Sequence, residues 1–198
     1  MIKLIGLLSD RDVDPLLAIP YRVLRADQTD AILASVSGTE ARPQPHAGLV
    51  LAWPRDPVEC AAAESELARY ASAHYRAREV LHWDELAGAD EHAVVLTYLV
   101  RRRADLSFAA FEAHYRGRHA PLARIHHPGI ARYVQNFVEH GPEPAPIDAI
   151  SELWFRSEQD ARTRFYRDAE STRVIGEDVR RFIDLRSGTA IAVRPRPA

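Results

Sequence analysis

A mixed α+β fold is predicted by three features of the sequence. Short apolar runs of strand length recur along the 198 residues, each stopped by proline, glycine or a charged cluster. Between them lie stretches with apolar side chains at helical spacing, two of them opened by a capping residue. In the second half the two kinds of segment follow the order β-α-β-β-α-β, with an extra helix before the last strand, which is the ferredoxin-like pattern.

Taken in order, the first half opens with IKLIGLL, residues 2–8, read as a strand. LLAIPYRVLRADQTDAILASVSG is read as one or two short strands broken at Pro20 and around Asp30. HAGLVLAWP is a strand stopped by Pro54. Residues 56–78 are predicted as one long helix, with Asp56 at its cap and Pro57 in its first turn. Cys60, Ala63, Leu67, Tyr70, Ala71 and His74 supply its apolar face. EVLHWDE is read as a further strand and LAGADEH, residues 86–92, as a linker.

The second half begins with AVVLTYLVRR, residues 93–102, a buried type of strand. LSFAAFEAHYRGR follows as a helix with Ser107 at its N-cap and Phe108, Phe111 and Tyr115 on one face; Gly117 and Pro121 weaken or interrupt it. Residues 130–140 and 147–155 are two strands joined by the Pro-rich GPEPAP. SEQDARTRFYRD and STRVIGEDVRRFIDL are helices, and TAIAVRP closes the chain as a strand. Residues 1–85 echo this pattern in degraded form, lacking a clear first helix, so residues 1–85 and 92–198 are expected to be two related halves.

Composition narrows the function classes. At 46% apolar and 27% charged the chain is of ordinary globular type, and a formal charge of -2 provides no field for nucleic acid or anionic lipid. The positive charge is nearly all arginine, scattered rather than striped, with Lys3 the only lysine. One cysteine, Cys60, excludes an intrachain disulfide and a Cys-based zinc site. The N-terminal apolar run is too short for a signal peptide, and no run reaches the ~20 residues of a membrane span. A soluble, cytoplasmic protein is expected. The sequence holds no G-x-S-x-G elbow, Walker A motif or G-x-G-x-x-G loop, so neither a serine nucleophile nor a bound nucleotide is predicted.

The strand at 93–102 leads into RRRADLSFAAFEAHYRGRHAPLA, and ARYVQN, AISELWF and RFIDL follow at suitable distances. On this combination residues 92–195 resemble the EthD family, a branch of the dimeric α+β barrel superfamily. The resemblance implies ferredoxin-like units whose sheets pair into a barrel, with a cleft between each sheet and its helices. A chain of this length fits two fused units, an intrachain pseudo-dimer able to pair again as a homodimer. The first half has no counterpart of HAPL, so one functional cleft per chain is expected. Relatives include lactone isomerases, cyclases, decarboxylases and dehydratases of aromatic polyketide-like substrates; the namesake accompanies an alkyl-ether oxidation system.

Residues 111–129 hold four of the nine histidines: His114, His119, His126 and His127. Their spacing does not suit a metal, because His114 and His119 are five apart and His126 and His127 are adjacent. Neither a metal nor a redox cofactor is predicted. The resemblance puts His119, in HAPL, in the cleft, where an ordinary pKa near 6.5 suits it to acid–base work. Its alternative role is to hold a helix end. Glu152, flanked by Ile150 and Trp154 on one strand face, is the second candidate. It is read either as an acid, base or orienting partner of His119, or as the partner of an arginine such as Arg132. Tyr98, His114, Tyr115, Tyr133, Asn136 and Trp154 are candidates for gripping a flat, oxygen-bearing small molecule, although Tyr133 and Asn136 cannot share a face of a regular strand. Two readings follow: a cofactor-independent lyase- or isomerase-like enzyme using His119, and a non-catalytic binding protein of an oxidative degradation pathway.

Overall fold

The computed structural model describes residues 1–86, 91–142 and 147–196. The first half contributes β1 (Ile2–Leu8), β2 (Tyr21–Ala26), α1 (Ala31–Ser37), β3 (Gly48–Ala52), α2 (Pro57–Tyr70) and β4 (Ala71–Asp84). The second contributes β5 (Val94–Val100), α3 (Phe108–His114), a π-helical turn (Tyr115–His119), α4 (Ala120–His126), β6 (Ile130–His140), β7 (Ala149–Phe155), α5 (Glu158–Thr163), α6 (Ala169–Val179) and β8 (Thr189–Pro195). The eight strands close into an antiparallel barrel in the order β1-β3-β2-β8-β5-β7-β6-β4. Closure leaves no strand edge unpaired. The two halves meet along the β2–β8 and β4–β6 seams.

Side-chain alternation assigns each strand face. Ile5, Leu7, Leu24, Val95, Ile150, Trp154 and Ile191 fill the barrel interior. The outward face of the first half packs on α2 through Leu4, Leu8, Val50 and Leu67, a solid core. On the other side Phe111, Tyr115, Phe137 and Phe182 join α3 and the π turn to the sheet.

Two helices differ most from the sequence expectation, while those expected at 157–168 and 171–185 end earlier, at Thr163 and Val179. Asp56 caps α2 as read, accepting from Val58 and Glu59, but the helix ends at Tyr70 rather than continuing to residue 78. Residues 71–78 are instead the first part of β4, which runs on through the expected strand at 79–85. Alanine-rich sequence favours helix locally, but Ala73, Tyr75 and Ala77 alternate with polar residues and pair with β1. Pairing and burial override propensity. The second difference is α1, which lies where only strands were expected; it ends on Gly38 in the left-handed conformation (φ 67°), at no steric cost for a residue without Cβ. No helix lies between β1 and β2, as the degraded pattern of the first half led us to expect.

Gly117 and Pro121 do not end the helix that begins at Ser107; they fall in and after the π turn. The cap of α3 is Ser107, which accepts from the Ala110 N–H. The Ala120 N–H then reaches back five residues to the Tyr115 carbonyl, and α4 carries Pro121 in its first turn. There a missing N–H costs little. Such wide turns re-aim side chains and recur at functional sites. The linker at 86–92 and GPEPAP fall mostly outside the described residues.

Candidate active site

A cavity of about 530 Å³ lies between the outward face of the second half's sheet and the helices that cover it. That is within the range of ~300–1,000 Å³ typical of small-molecule sites. Tyr98 of β5, Tyr133 of β6 and Ser151 of β7 form its floor, and Tyr115 and His119 descend from the π turn. The opposite wall is largely apolar, with Phe165, Ile175 and Val179. The first half contributes too: Leu33 and Val36 of α1 close one side.

The π turn buries His119 at 7% exposure and lays its ring 5.3 Å from Tyr115 and 5.2 Å from Phe182. His119 Nδ1 hydrogen-bonds Asp178 Oδ2 at 3.0 Å. Asp178 is a buried residue of α6 that also accepts from His114 Nε2 at 3.0 Å and from Arg118 Nε at 2.9 Å, both on Oδ1. Burial by itself would raise this carboxyl, but the bonds from His119 and His114 outweigh it and hold Asp178 at about 2. An ionised carboxylate accepts only, so His119 donates from Nδ1, and Nε2, the lone-pair nitrogen of that tautomer when the ring is neutral, has no partner among the described residues. A carboxylate, a fixed tautomer and a free ring nitrogen at a cavity wall are the components of a positioned general base.

The cleft holds four of the eight residues singled out from the sequence: His119, Tyr98, Tyr115 and Tyr133. His114 stands one step back, stacked 4.7 Å from Phe182 and bonded to Asp178. Glu152, Asn136 and Trp154 point the other way, into the barrel, so the carboxylate that meets His119 is Asp178 and not Glu152. Glu152 accepts from Lys3 Nζ at 2.5 Å, from Asn136 Nδ2 at 2.7 Å and from Trp154 Nε1 at 3.1 Å. Lys3 also meets Glu79 at 2.9 Å. The ion pair considered for Glu152 therefore exists, but its cation is the chain's single lysine. Arg132 pairs instead with Asp84 at 2.9 Å.

Sequence reasoning missed Asp178, Ser151, Tyr166 and His127 as neighbours of the cleft. His127, just past the end of α4, is buried against the cavity with Nδ1 bonded to the Phe165 carbonyl. Burial pulls its pKa down to about 4, so it stays neutral near pH 7. Asp178 had a signal in principle, because a lone acid at helical spacing among Ile175, Val179 and Phe182 is costly to bury unpaired. Among the described residues no group of three or more His, Cys, Asp or Glu side chains could hold a metal, and no helix is long and apolar enough to cross a membrane.

Comparison with known proteins agrees with this architecture. No curated protein matches the chain. The crystal structure of an anthrone oxidase-like protein is similar in fold, with a TM-score of 0.64 at 8% identity over 99% of this chain and 91% of that one. The family model of the EthD domain matches residues 103–186, the span from Arg103 through the π turn to Arg186. The chain is thus similar to the EthD family across a segment that includes the π turn, Tyr133 and Ser151, within the span where the motifs of the second half had placed the resemblance.

Proposed function

We propose that this protein is an enzyme of proton-transfer chemistry in which His119 takes a proton from a small aromatic, lactone or polyketide-like substrate and returns it at another position. Isomerisation, cyclisation, decarboxylation and dehydration all fit that step. The reading rests on one observation: His119 Nδ1 is tied to Asp178, so its second nitrogen is free at the wall of the cavity. Asp178 fixes the tautomer before reaction and stabilises the imidazolium formed by it. The phenol-lined floor and apolar opposite wall suit a flat ligand carrying oxygens. The likeness in fold to an anthrone oxidase-like protein is in keeping with such a ligand.

The frame belongs to the same proposal. Residues 1–85 and 92–198 are read as two ferredoxin-like quartets fused into an intrachain pseudo-dimer. The orders β4-β1-β3-β2 and β8-β5-β7-β6 within the closed barrel support this, since each quartet places its strands in the same sequence.

Purified protein is to be incubated with a panel of aromatic lactones and polyketide-like acids and the products read by mass spectrometry, with His119→Ala alongside. Loss of at least ~10²-fold in rate by a variant that still melts cooperatively supports the proposal. If the wild type converts nothing, yet both proteins are stabilised by the same compounds, the cleft belongs to a binding protein.

A further inference from the structure

Beside His119 the cavity is lined by three hydroxyl-bearing residues, Tyr115, Tyr133 and Ser151, one of which is fed by a hydrogen-bond chain of fixed direction. Gln135, fully buried on β6, donates from Nε2 to the Tyr115 backbone carbonyl at 3.1 Å. A carbonyl only accepts, so this bond fixes which end of the amide is nitrogen. The second proton of the same nitrogen goes to the Tyr133 hydroxyl oxygen at 2.9 Å. The amide oxygen, which only accepts, takes its bond from His82 Nε2 at 2.9 Å, across the β4–β6 seam. A one-way chain therefore runs from His82 through Gln135 into Tyr133. Tyr133 receives at its oxygen, so its own proton points onward. Beside it the Tyr115 hydroxyl and Ser151 Oγ are hydrogen-bonded to each other. All three residues line the cavity, and each is at least 97% buried, with exposures of 1%, 3% and 1% for Tyr133, Tyr115 and Ser151. Burial pushes both phenols up, so they keep their protons near pH 7. The three hydroxyls lie within hydrogen-bond reach of one another, fed by an amide donor, and together they can turn an O–H toward an oxyanion in the cavity.

We infer that Tyr133, Tyr115 and Ser151 are the oxyanion-binding side of this cleft, and that Gln135 and His82 are positioning residues that orient them. The inference rests on the reading of His119 as the base. When His119 Nε2 takes a proton from carbon next to a carbonyl, the C–H bonding pair moves into a new C=C bond. The carbonyl oxygen becomes an enolate or phenolate oxygen, and the hydroxyls donate to it. No redox partner is needed. The substrate class is then a ketone, ester or lactone with an acidic C–H beside its carbonyl, held so that its oxygen faces β6 and β7 and its carbon faces the π turn. Donors already fixed in a water-poor site cost no reorganisation as the charge develops.

The test uses cyano-substituted 2-naphthols, whose neutral and ionised forms have separate absorption bands, titrated into the full-length protein at pH 7, with naphthalene as the uncharged control. Wild type is expected to bind the ionised form preferentially. Tyr133→Phe and Ser151→Ala should each lose on the order of 10- to 100-fold of that preference, the worth of one hydrogen bond to a charged group, with naphthalene affinity unchanged. Gln135→Met, outside the cavity wall, should reduce the ionised fraction in the same direction. His119→Ala should keep the preference while abolishing turnover. Retention of the preference in both hydroxyl variants, its loss in His119→Ala alone, or the absence of binding to wild type would overturn the inference. Anion preference with no turnover of any substrate would instead overturn the catalytic reading and leave the oxyanion site standing.

Discussion

Asp178→Asn replaces one oxygen by nitrogen and keeps the shape of the side chain, yet the geometry around it predicts a large loss of activity. Arg118 can only donate, and it shares Oδ1 with His114. The oxygen of the new amide is therefore held on that side, and its NH2 turns toward His119 Nδ1, which now lies 3.0 Å from Oδ2. Two donors cannot face each other, so the imidazole shifts its proton to Nε2 and presents an N–H, not a lone pair, to the cavity. Recovering the productive tautomer leaves a buried donor unpaired, at about 1–3 kcal/mol. Losing the carboxylate behind the imidazolium removes a charge-assisted bond worth about 1.5–3 kcal/mol. Together these correspond to ~10²–10⁴-fold in rate, since about 1.4 kcal/mol is tenfold. The same exchange in the serine-protease triad acts through the wrong tautomer and costs ~10⁴-fold. The assay is kcat and KM on whichever panel compound the wild type converts, with ¹⁵N NMR of His119 to report the protonated nitrogen. The reasoning predicts a fall in kcat with KM little changed and a proton moved to Nε2. An unchanged kcat with the proton still on Nδ1 would refute it.

Other consequences concern stability. Asp178 is held at about 2, below the usual carboxylate value. A depressed pKa contributes stability that is present above about pH 4 and lost as pH falls toward 2; Asp178→Asn should flatten the acid limb of a thermal-melt series over that window, and an identical limb would remove the assignment. Lys3→Met strands the buried carboxylate of Glu152 and removes the cation beside the half-buried Glu79, so it should cost about 3–5 kcal/mol, a Tm lower by about 6–20 °C for a chain of this size. Adding Glu152→Gln should recover part of that loss, and strictly additive melts would argue against a coupled pair. At Gly48 a Cβ would stand 2.2 Å from the Leu24 carbonyl oxygen, so Gly48→Ala should force β2 and β3 apart and cost at least ~1–3 kcal/mol by urea unfolding. A neutral result there would mean the pair tolerates displacement.

The second half was far more legible than the first, and the reason is physical. Strands β5 to β8 are apolar runs bounded by turn residues, and Ser107 caps a helix whose aromatic face repeats at the right spacing; local pattern and burial agree. In β4 they disagree. Ala71 to Ala77 favour helix by propensity, and only their partners in β1, some seventy residues upstream, make them a strand. The short helix α1 sits where Pro20 and Asp30 had suggested only breaks, and its value lies in covering the cleft of the other half, which no local pattern reports. His119 could be singled out because HAPL is a motif. Asp178 offered only the cost of burying an acid among Ile175, Val179 and Phe182, and its role depends on α6 being laid across the π turn.

β7 explains why only half of the residues singled out from the sequence line the cavity. Its residues alternate with a period of two, so Ser151 and Leu153 face the helices while Ile150, Glu152 and Trp154 face the barrel. Residue type alone favoured Glu152, the conspicuous charge, over Ser151, the plain neighbour. The interior of the barrel answers that charge completely: Lys3 comes from β1 and Asn136 from β6. A buried carboxylate so supplied with donors is spent on joining the two halves, and it has no path to the cavity through its own strand. Ser151, one residue earlier, reaches the cavity floor with its hydroxyl on Tyr115. A register slip of one residue in β7 would exchange these roles, placing a glutamate in the cleft and a serine against Lys3. The Lys3–Glu152 pair penalises that slip, since it would take Glu152 away from its buried cation and leave Lys3 with Glu79 alone. The interior ion pair therefore acts on the cavity from the opposite face of the sheet, by holding β7 in the register that presents Ser151 to it.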